Sequence, residues 1–333
     1  MPRLLSTTAL GVCLSSTAVF AAPNVATDIA PVHGLVARVM DGVGEPSQVV
    51  PSNASPHGYA LRPSEARALS NADVIFWVGE EFMPQLEGAI DTLGEDAQSI
   101  ALLDGAGVLQ LPYRTEFGLT KDDDHGDEHA DDDHGDDHGD EHAEDDHDHD
   151  HGDEHAEDDH DDRGGTDPHA WLHPDNAKAW LTIIADTLAD VDPDNAATYR
   201  ANAEAGIAEI TAVEAQISAD LAPLAGVPFV VFHDAYQYFE AAFGLNAAGS
   251  ISLGDASAPS AARIAALQEE IEHEGITCAF REPQYNDRLI ATVFEGVDVT
   301  VGVIDPVGAD IAPGPDFYPA LLTSMAAAFD ACR

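Results

Sequence analysis

Basic residues are scarce: 13 Lys plus Arg stand against 62 Asp plus Glu in 333 residues, a formal net charge of -49. A surface that acidic repels phosphate, which excludes nucleic acid and anionic lipid surfaces as natural partners. Long apolar runs are missing after the N-terminal region, where no segment approaches the ~18 residues of a membrane span, so no membrane insertion is expected. Cysteine is limited to Cys13, Cys278 and Cys332, with no Cys-x-x-Cys or zinc-finger spacing. There is no His-Glu-x-x-His and no Gly-x-Ser-x-Gly, so the common signatures of metallohydrolases and serine hydrolases are lacking. What is present is 44% hydrophobic residues in a chain longer than one core usually grows to. Two domains are the default expectation.

Residues 1–21 read as a secretory signal: Arg3 supplies the positive start, an apolar run spans Thr8 to Val19, and Val19-Phe20-Ala21 fits the small-residue rule for cleavage after Ala21. The mature chain is expected to be soluble and exported to the periplasm. Cys13 lies within the leader and follows Val12, where a lipoprotein signal needs a small residue. The remaining pair, Cys278 and Cys332, reads as a disulfide in an exported protein, with two unpaired thiols as the alternative.

After the leader, short β-branched runs alternate with amphipathic stretches, the pattern of βα units and a parallel sheet. Strands are expected at Asn24–Ile29, at a run ending in Gln48-Val49-Val50, at Asp73–Val78 and at Ser99–Leu103. Helices should start near Pro31, Pro63 and Pro84, with proline in the first turn where its missing N–H costs nothing. The second half repeats the rhythm. Strands are expected at Pro228–Phe232, Gly249–Ile251, Thr277–Phe280 and Val299–Ile304, with helices near 235–243, 259–274 and 286–295. Between the halves, Asp194 to Leu221 keeps helical spacing with no internal proline. At 1.5 Å per residue it would run roughly 40 Å, a stiff connector between two lobes or one more helix on a single large sheet.

Residues 122–162 hold 24 acids and 10 histidines with no Lys or Arg. The unit Gly-Asp-Glu-His-Ala recurs from Gly126, Gly139 and Gly152. A polar repeat with nothing to bury is low complexity and expected to be a disordered insertion. Its histidines, His125, His129, His134, His138, His142, His147, His149, His151, His155 and His160, are candidate weak auxiliary metal ligands, the alternative being a purely solvating acidic loop. The expected organisation is therefore a leader 1–21, an N-terminal α/β lobe 22–193 carrying the insertion, a connecting helix 194–222 and a C-terminal α/β lobe 223–333.

Six histidines lie outside the tract. His57 follows the strand ending at Val50, His169 sits in the loop Asp-Pro-His-Ala-Trp-Leu, His233 directly follows Pro-Phe-Val-Val-Phe, and Asp305 ends Val-Gly-Val-Ile. Ligands of open parallel α/β sheets bind at the carboxyl ends of strands, so these four would converge on a cleft between the lobes. Three imidazoles plus a carboxylate suit Zn2+ better than manganese or ferrous iron. Each is weak evidence singly: a lone histidine is more often structural, and Asp305 before Pro306 is also a natural turn former. His33 and His273 carry no argument for ligation, while His173 is near enough to support a ligand.

Several segments together resemble a known family. ASPHGYALRPSEARALSNADVIFWVGEEF, DPHAWLHP, VVFHDAYQYFEAAFGL and CAFREPQ followed by VGVIDPVG are similar to the ZnuA family, the zinc-binding components of bacterial ABC importers, within the substrate-binding proteins specific for zinc, manganese or iron. The resemblance runs over the mature chain apart from the tract. It implies two α/β lobes, each with a parallel sheet flanked by helices, joined by one long helix, with the metal between them. It also implies a monomer that captures periplasmic Zn2+ and hands it to an ABC importer permease. It carries the ligand role onto His57, His169 and His233 and a carboxylate role onto Asp305, and it implies the Cys278–Cys332 disulfide. Some family members place Glu directly before the first ligand histidine; this chain has Pro56 there. The fourth position therefore falls to Asp305 or to water. The alternatives kept open are the same fold binding Mn2+ or Fe2+, an exported zinc buffer acting through the tract, and a zinc-dependent hydrolase, since three histidines and an open position are able to activate water.

Overall fold

A strand buried on both faces of a sheet is apolar throughout, whereas an edge strand tolerates polar residues, and this contrast orders the eight strands found among the described residues. The computed structural model describes residues 22–114, 165–252, 260–285 and 292–333. The expected leader, the tract 122–162 and part of the helix expected at 286–295 lie outside the described residues. In the first sheet β1 (Val25–Thr27) and β3 (Val74–Trp77) are wholly buried and central. β2 (Ser47–Gln48) and β4 (Gln98–Ala101) are the more exposed edges, giving the order β2-β1-β3-β4. The second sheet repeats this as β6-β5-β7-β8, with β5 (Phe229–Val231) and β7 (Cys278–Arg281) inside and β6 (Ala247–Ser250) and β8 (Thr300–Val303) outside. Every pairing in both ladders is parallel. The second strand is shorter than expected, because Val49 and Val50 still donate to the carbonyls of Thr27 and Asp28 while the chain turns away.

Helices flank both sheets. In the first half these are α1 (Ala30–Met40), α2 (Pro63–Ser70) and α3 (Pro84–Leu93), each with proline at its first or second position, as the sequence led one to expect. Two further helices were not among the expected elements: α4 (Pro174–Val191) and the C-terminal α8 (Phe317–Ala328). α5 (Ala196–Leu221) is the long helix, 26 residues and so about 39 Å. It packs along α1, α4 and α8. α6 (Gln237–Phe243) and α7 (Ala261–Glu274) serve the second sheet. Because the eight strands form two sheets, the reading of α5 as one more helix on a single large sheet is set aside.

Two ties bind distant parts of the chain. Cys278 at the start of β7 is disulfide-bonded to Cys332, closing a separation of 54 residues, and the loop-entropy model assigns such a loop about 4 kcal/mol. α8 returns from the second half to lie against α1, so closely that a Cβ built on Gly34 would stand 2.8 Å from the Phe317 Cβ. Gly34→Ala should therefore lower the unfolding free energy in urea by about 1–3 kcal/mol, the usual cost of overpacking, even though alanine is the better helix former.

At the end of β1 the Asp28 carboxylate accepts from Ile29 N–H at 2.7 Å and from Val78 N–H at 2.7 Å, joining the ends of β1 and β3. Full burial pushes this carboxyl up to about 7, with the two N–H donors opposing the shift. The folded protein then holds a proton that the unfolded chain loses near its ordinary 3.8. Unfolding releases that proton between about pH 4 and 7, so this group's contribution is fullest in acid and is lost as pH rises through that window. Measured by urea unfolding, the stability of wild type relative to Asp28→Asn should fall from about pH 4 to 7 and level off above it.

Candidate metal centre

The sheets place their functional side chains by topology. In each, the chain reverses its direction of advance between the two central strands, β1/β3 and β5/β7, and loops leaving such strands at their carboxyl ends part to leave a crevice. His233 follows β5 and Glu282 follows β7, at the reversal point of the second sheet, and Phe82 lies in the turn after β3. His57 comes from the loop between β2 and α2, and His169 from the turn that leads into α4. A recess gathers them, lined among others by His57, His169, His233, Phe82, Trp171 and Glu282.

Within it, one potential ligand atom from each of His57, His169 and His233 lies within 4.8 Å of the others. The ring centroids are 5.8 Å apart for His57 and His169, 5.9 Å for His57 and His233, and 5.4 Å for His169 and His233. His169 and His233 are buried. Their Nδ1 atoms are engaged: His169 Nδ1 lies 2.8 Å from Asp167 Oδ1, and His233 Nδ1 lies 2.6 Å from Glu282 Oε1. A carboxylate in this position takes an N–H from Nδ1, fixes the tautomer and directs the Nε2 lone pair at a cation. Aromatic rings close the walls: Phe82 meets His57 edge-on at 5.3 Å, Trp171 lies 5.3 Å from His169, and Tyr285, stacked on Phe232, lies 5.7 Å from His233.

The loops that carry these histidines are held by a clasp. Residues 111–114 and 165–167, which border the undescribed segment, pair in antiparallel fashion through Tyr113 N–H to the Gly165 carbonyl and Asp167 N–H to the Leu111 carbonyl. The Tyr238 hydroxyl of α6 receives Leu111 N–H and donates to the Asp167 carbonyl. Arg114 forks onto Glu240, 3.0 Å and 2.7 Å, and reaches Asp234 at 2.6 Å. Asp234 is the neighbour of His233, so one guanidinium connects the His169 loop to the His233 loop. Burial pushes the Asp234 carboxyl up to about 6, against the lowering pull of Arg114. Trp171 Nε1 donates across the cleft to the Pro306 carbonyl at 2.8 Å, and the Tyr318 hydroxyl of α8 donates to the Trp171 carbonyl at 2.6 Å.

Asp305 is not part of the three-histidine group. Its Oδ1 accepts from Gln284 Nε2 and Val307 N–H, and its Oδ2 accepts from Ala309 N–H at 2.6 Å. The turn-forming tendency of Asp-Pro has folded the carboxylate back over its own loop, and Gly308 at φ +70° supplies the left-handed residue that returns Ala309 to it. His173 caps α4 by accepting from Asp175 N–H, His33 lies 3.2 Å from the Pro46 carbonyl, and His273 is exposed, so none of the three joins the group. The ten tract histidines lie outside the described residues. Sequence reasoning passed over Asp167, Glu282 and Arg114. Glu282 carried a signal, a charge directly after the buried strand Cys-Ala-Phe-Arg, and Asp167 carried another, a carboxylate two residues before a loop histidine.

Arg114→Ala leaves Asp234 and Glu240 without their cation, and since the pairing is partly exposed the expected loss of stability in urea is about 2–3 kcal/mol. Arg114→Lys should recover only part, because an ammonium lacks the fork.

The family model "ZnuA: Zinc-uptake complex component A periplasmic" matches residues 25–332. The chain is 48% identical over 311 residues to the high-affinity zinc uptake system protein ZnuA of Paracoccus denitrificans, covering 93% of this chain and 91% of that one. It is 45% identical over 309 residues to the protein of the same description from Brucella abortus, with the same coverage of 93% and 91%. Among solved structures, a crystal structure of ZnuA superposes with a TM-score of 0.69 at 22% identity, over 92% of this chain and 98% of that one, and at that identity speaks for the fold.

Proposed function

The chain belongs to the ZnuA family of zinc-uptake components, and we propose that it captures Zn2+ with His57, His169 and His233 and delivers it to the membrane permease of an ABC importer. The observation that carries this reading is the convergence of three imidazole ligand atoms within 4.8 Å of one another. Neutral nitrogen donors at this spacing suit a small borderline-soft cation, and a three-histidine shell leaves one tetrahedral position for an oxygen. Manganese and ferrous iron, which favour harder anionic oxygen, are the poorer fit because no carboxylate belongs to the group. The role is binding and transfer rather than catalysis; hydrolytic turnover by the zinc-loaded protein would contradict it. The leader 1–21 directs the chain to the periplasm, where it acts as a monomer.

Each of His57→Ala, His169→Ala and His233→Ala should weaken zinc binding by more than about 100-fold in competition with a chelator. Asp167→Ala and Glu282→Ala should cost about 10–100-fold, the usual price of losing a hydrogen bond that orients a ligand. Full affinity in a triple histidine variant that also lacks residues 122–162 would sink the assignment.

The tract 122–162 serves as an auxiliary collector. Its ten histidines and 24 acids offer many partial ligand sets, each weaker than the prepared recess because binding must order the chain. Calorimetry on a variant lacking 122–162 should find one tight zinc per chain and none of the weaker ions. Loss of the tightest site would instead make the tract the primary binder.

A further inference from the structure

Among the non-histidine residues that line the recess, two polar atoms are buried and have no hydrogen-bond partner among the described residues: Gln284 Oε1 and Ser55 Oγ. Buried polar atoms in native proteins are nearly always paired with protein, water or ligand, so two orphans around one recess mark a place where something else binds.

The orientation of Gln284 is not free. Its Nε2 donates to Asp305 Oδ1 at 2.8 Å, and turning the amide over would press a carbonyl oxygen against a carboxylate. Oε1 is therefore the atom left for the recess. Asp305 is itself fixed by Val307 N–H at 3.1 Å and Ala309 N–H at 2.6 Å, so the loop after β8 sets the carboxylate and the carboxylate sets the amide.

We propose that the zinc held by His57, His169 and His233 carries a water molecule as its fourth ligand, that Gln284 Oε1 and Ser55 Oγ hold this water by accepting its two hydrogens, and that Asp305 acts as the positioning residue for Gln284. The proposal rests on zinc capture at the three histidines. A zinc-bound water has two hydrogens to place, and two neutral acceptors match that demand. They also keep the four donors uncharged, so the site offers nothing to an ion that depends on anionic oxygen. Gln284 is thereby assigned as a determinant of selectivity for zinc over manganese.

The test compares wild type with Gln284→Met, Ser55→Ala, Asp305→Ala and the double variant Gln284→Met/Asp305→Ala. Zinc affinity is read by chelator competition, coordination by the visible spectrum of the cobalt(II)-loaded protein, and folding by the thermal midpoint of the metal-free form. Gln284→Met and Ser55→Ala should each weaken zinc about 10-fold and shift the cobalt bands while the metal-free midpoint stays near wild type. Asp305→Ala should match Gln284→Met, and the double variant should be no weaker than either, because both changes break one connection. Wild-type affinity and spectrum in Gln284→Met overturn the proposal, and the same result in Ser55→Ala does so if Gln284→Met fails to fold. A loss in Asp305→Ala that exceeds that in Gln284→Met and multiplies with it overturns it too, by making Asp305 the fourth ligand. His57→Ala, run alongside, separates the two levels. If it retains zinc at full affinity, the underlying capture site is wrong; if it loses zinc while the Gln284 and Ser55 variants do not, only the fourth position is wrong.

Discussion

Three imidazole lone pairs brought within 4.8 Å of one another do not attract, so their convergence has to be imposed by contacts that the rings make elsewhere. The described structure supplies such contacts. Asp167 and Glu282 grip the far nitrogens of His169 and His233, and both carboxylates are buried, so the grip is not shared with water. Phe82, Trp171 and Tyr285 fill the space around the rings and hold their planes. The carboxylates are in turn set by the strand ends and by the clasp at 111–114 and 165–167, which is why residues far from the recess determine its geometry.

The same arrangement explains how so acidic a chain can present a neutral donor set. With a formal charge of -49 the protein has carboxylates in excess, and any of them aimed into the recess would favour harder cations. Several of these carboxylates are instead committed to hydrogen bonds: Asp167 and Glu282 to imidazoles, Asp305 to Gln284 and two backbone N–H groups, Asp234 to Arg114. Contacts between the two halves follow the same economy. Arg114 to Glu240 and Trp171 to Pro306 each join parts that are distant in the chain and lie beside the proposed ligands, and α8 against α1 ties the second half to the first. A change in the relative placing of the sheets would therefore disturb the proposed ligand set and its supports together.

Much of the fold was legible because it rests on local patterns. The buried strands Val25–Thr27, Val74–Trp77 and Phe229–Val231 stand out as short apolar, β-branched runs, and Pro63 and Pro84 mark helix starts by a rule that needs no tertiary knowledge. Helices α4 and α8 escaped notice even though Pro174 opens α4 in the same way. Their apolar faces are packed against α5 and α1, and nothing local announces a partner so far along the chain. The histidines were legible by position, since each follows a strand or sits in a short loop, yet position alone did not separate Asp305 from them.

The sequence by itself determined the inventory: which segments are strands, which histidines stand at strand ends, and that Cys278 and Cys332 are a candidate pair. Those features depend on neighbours within a few residues, where covalent connection makes chemistry and placement the same question. Only the tertiary structure decided which carboxylate meets which imidazole, that Asp305 turns to Gln284 instead of joining the group, and that Arg114 bridges to residues 120 and 126 positions away. These choices depend on bringing strand ends of two separate sheets to one recess. A hydrogen bond is decided by distances of a few tenths of an ångström, which no local pattern encodes.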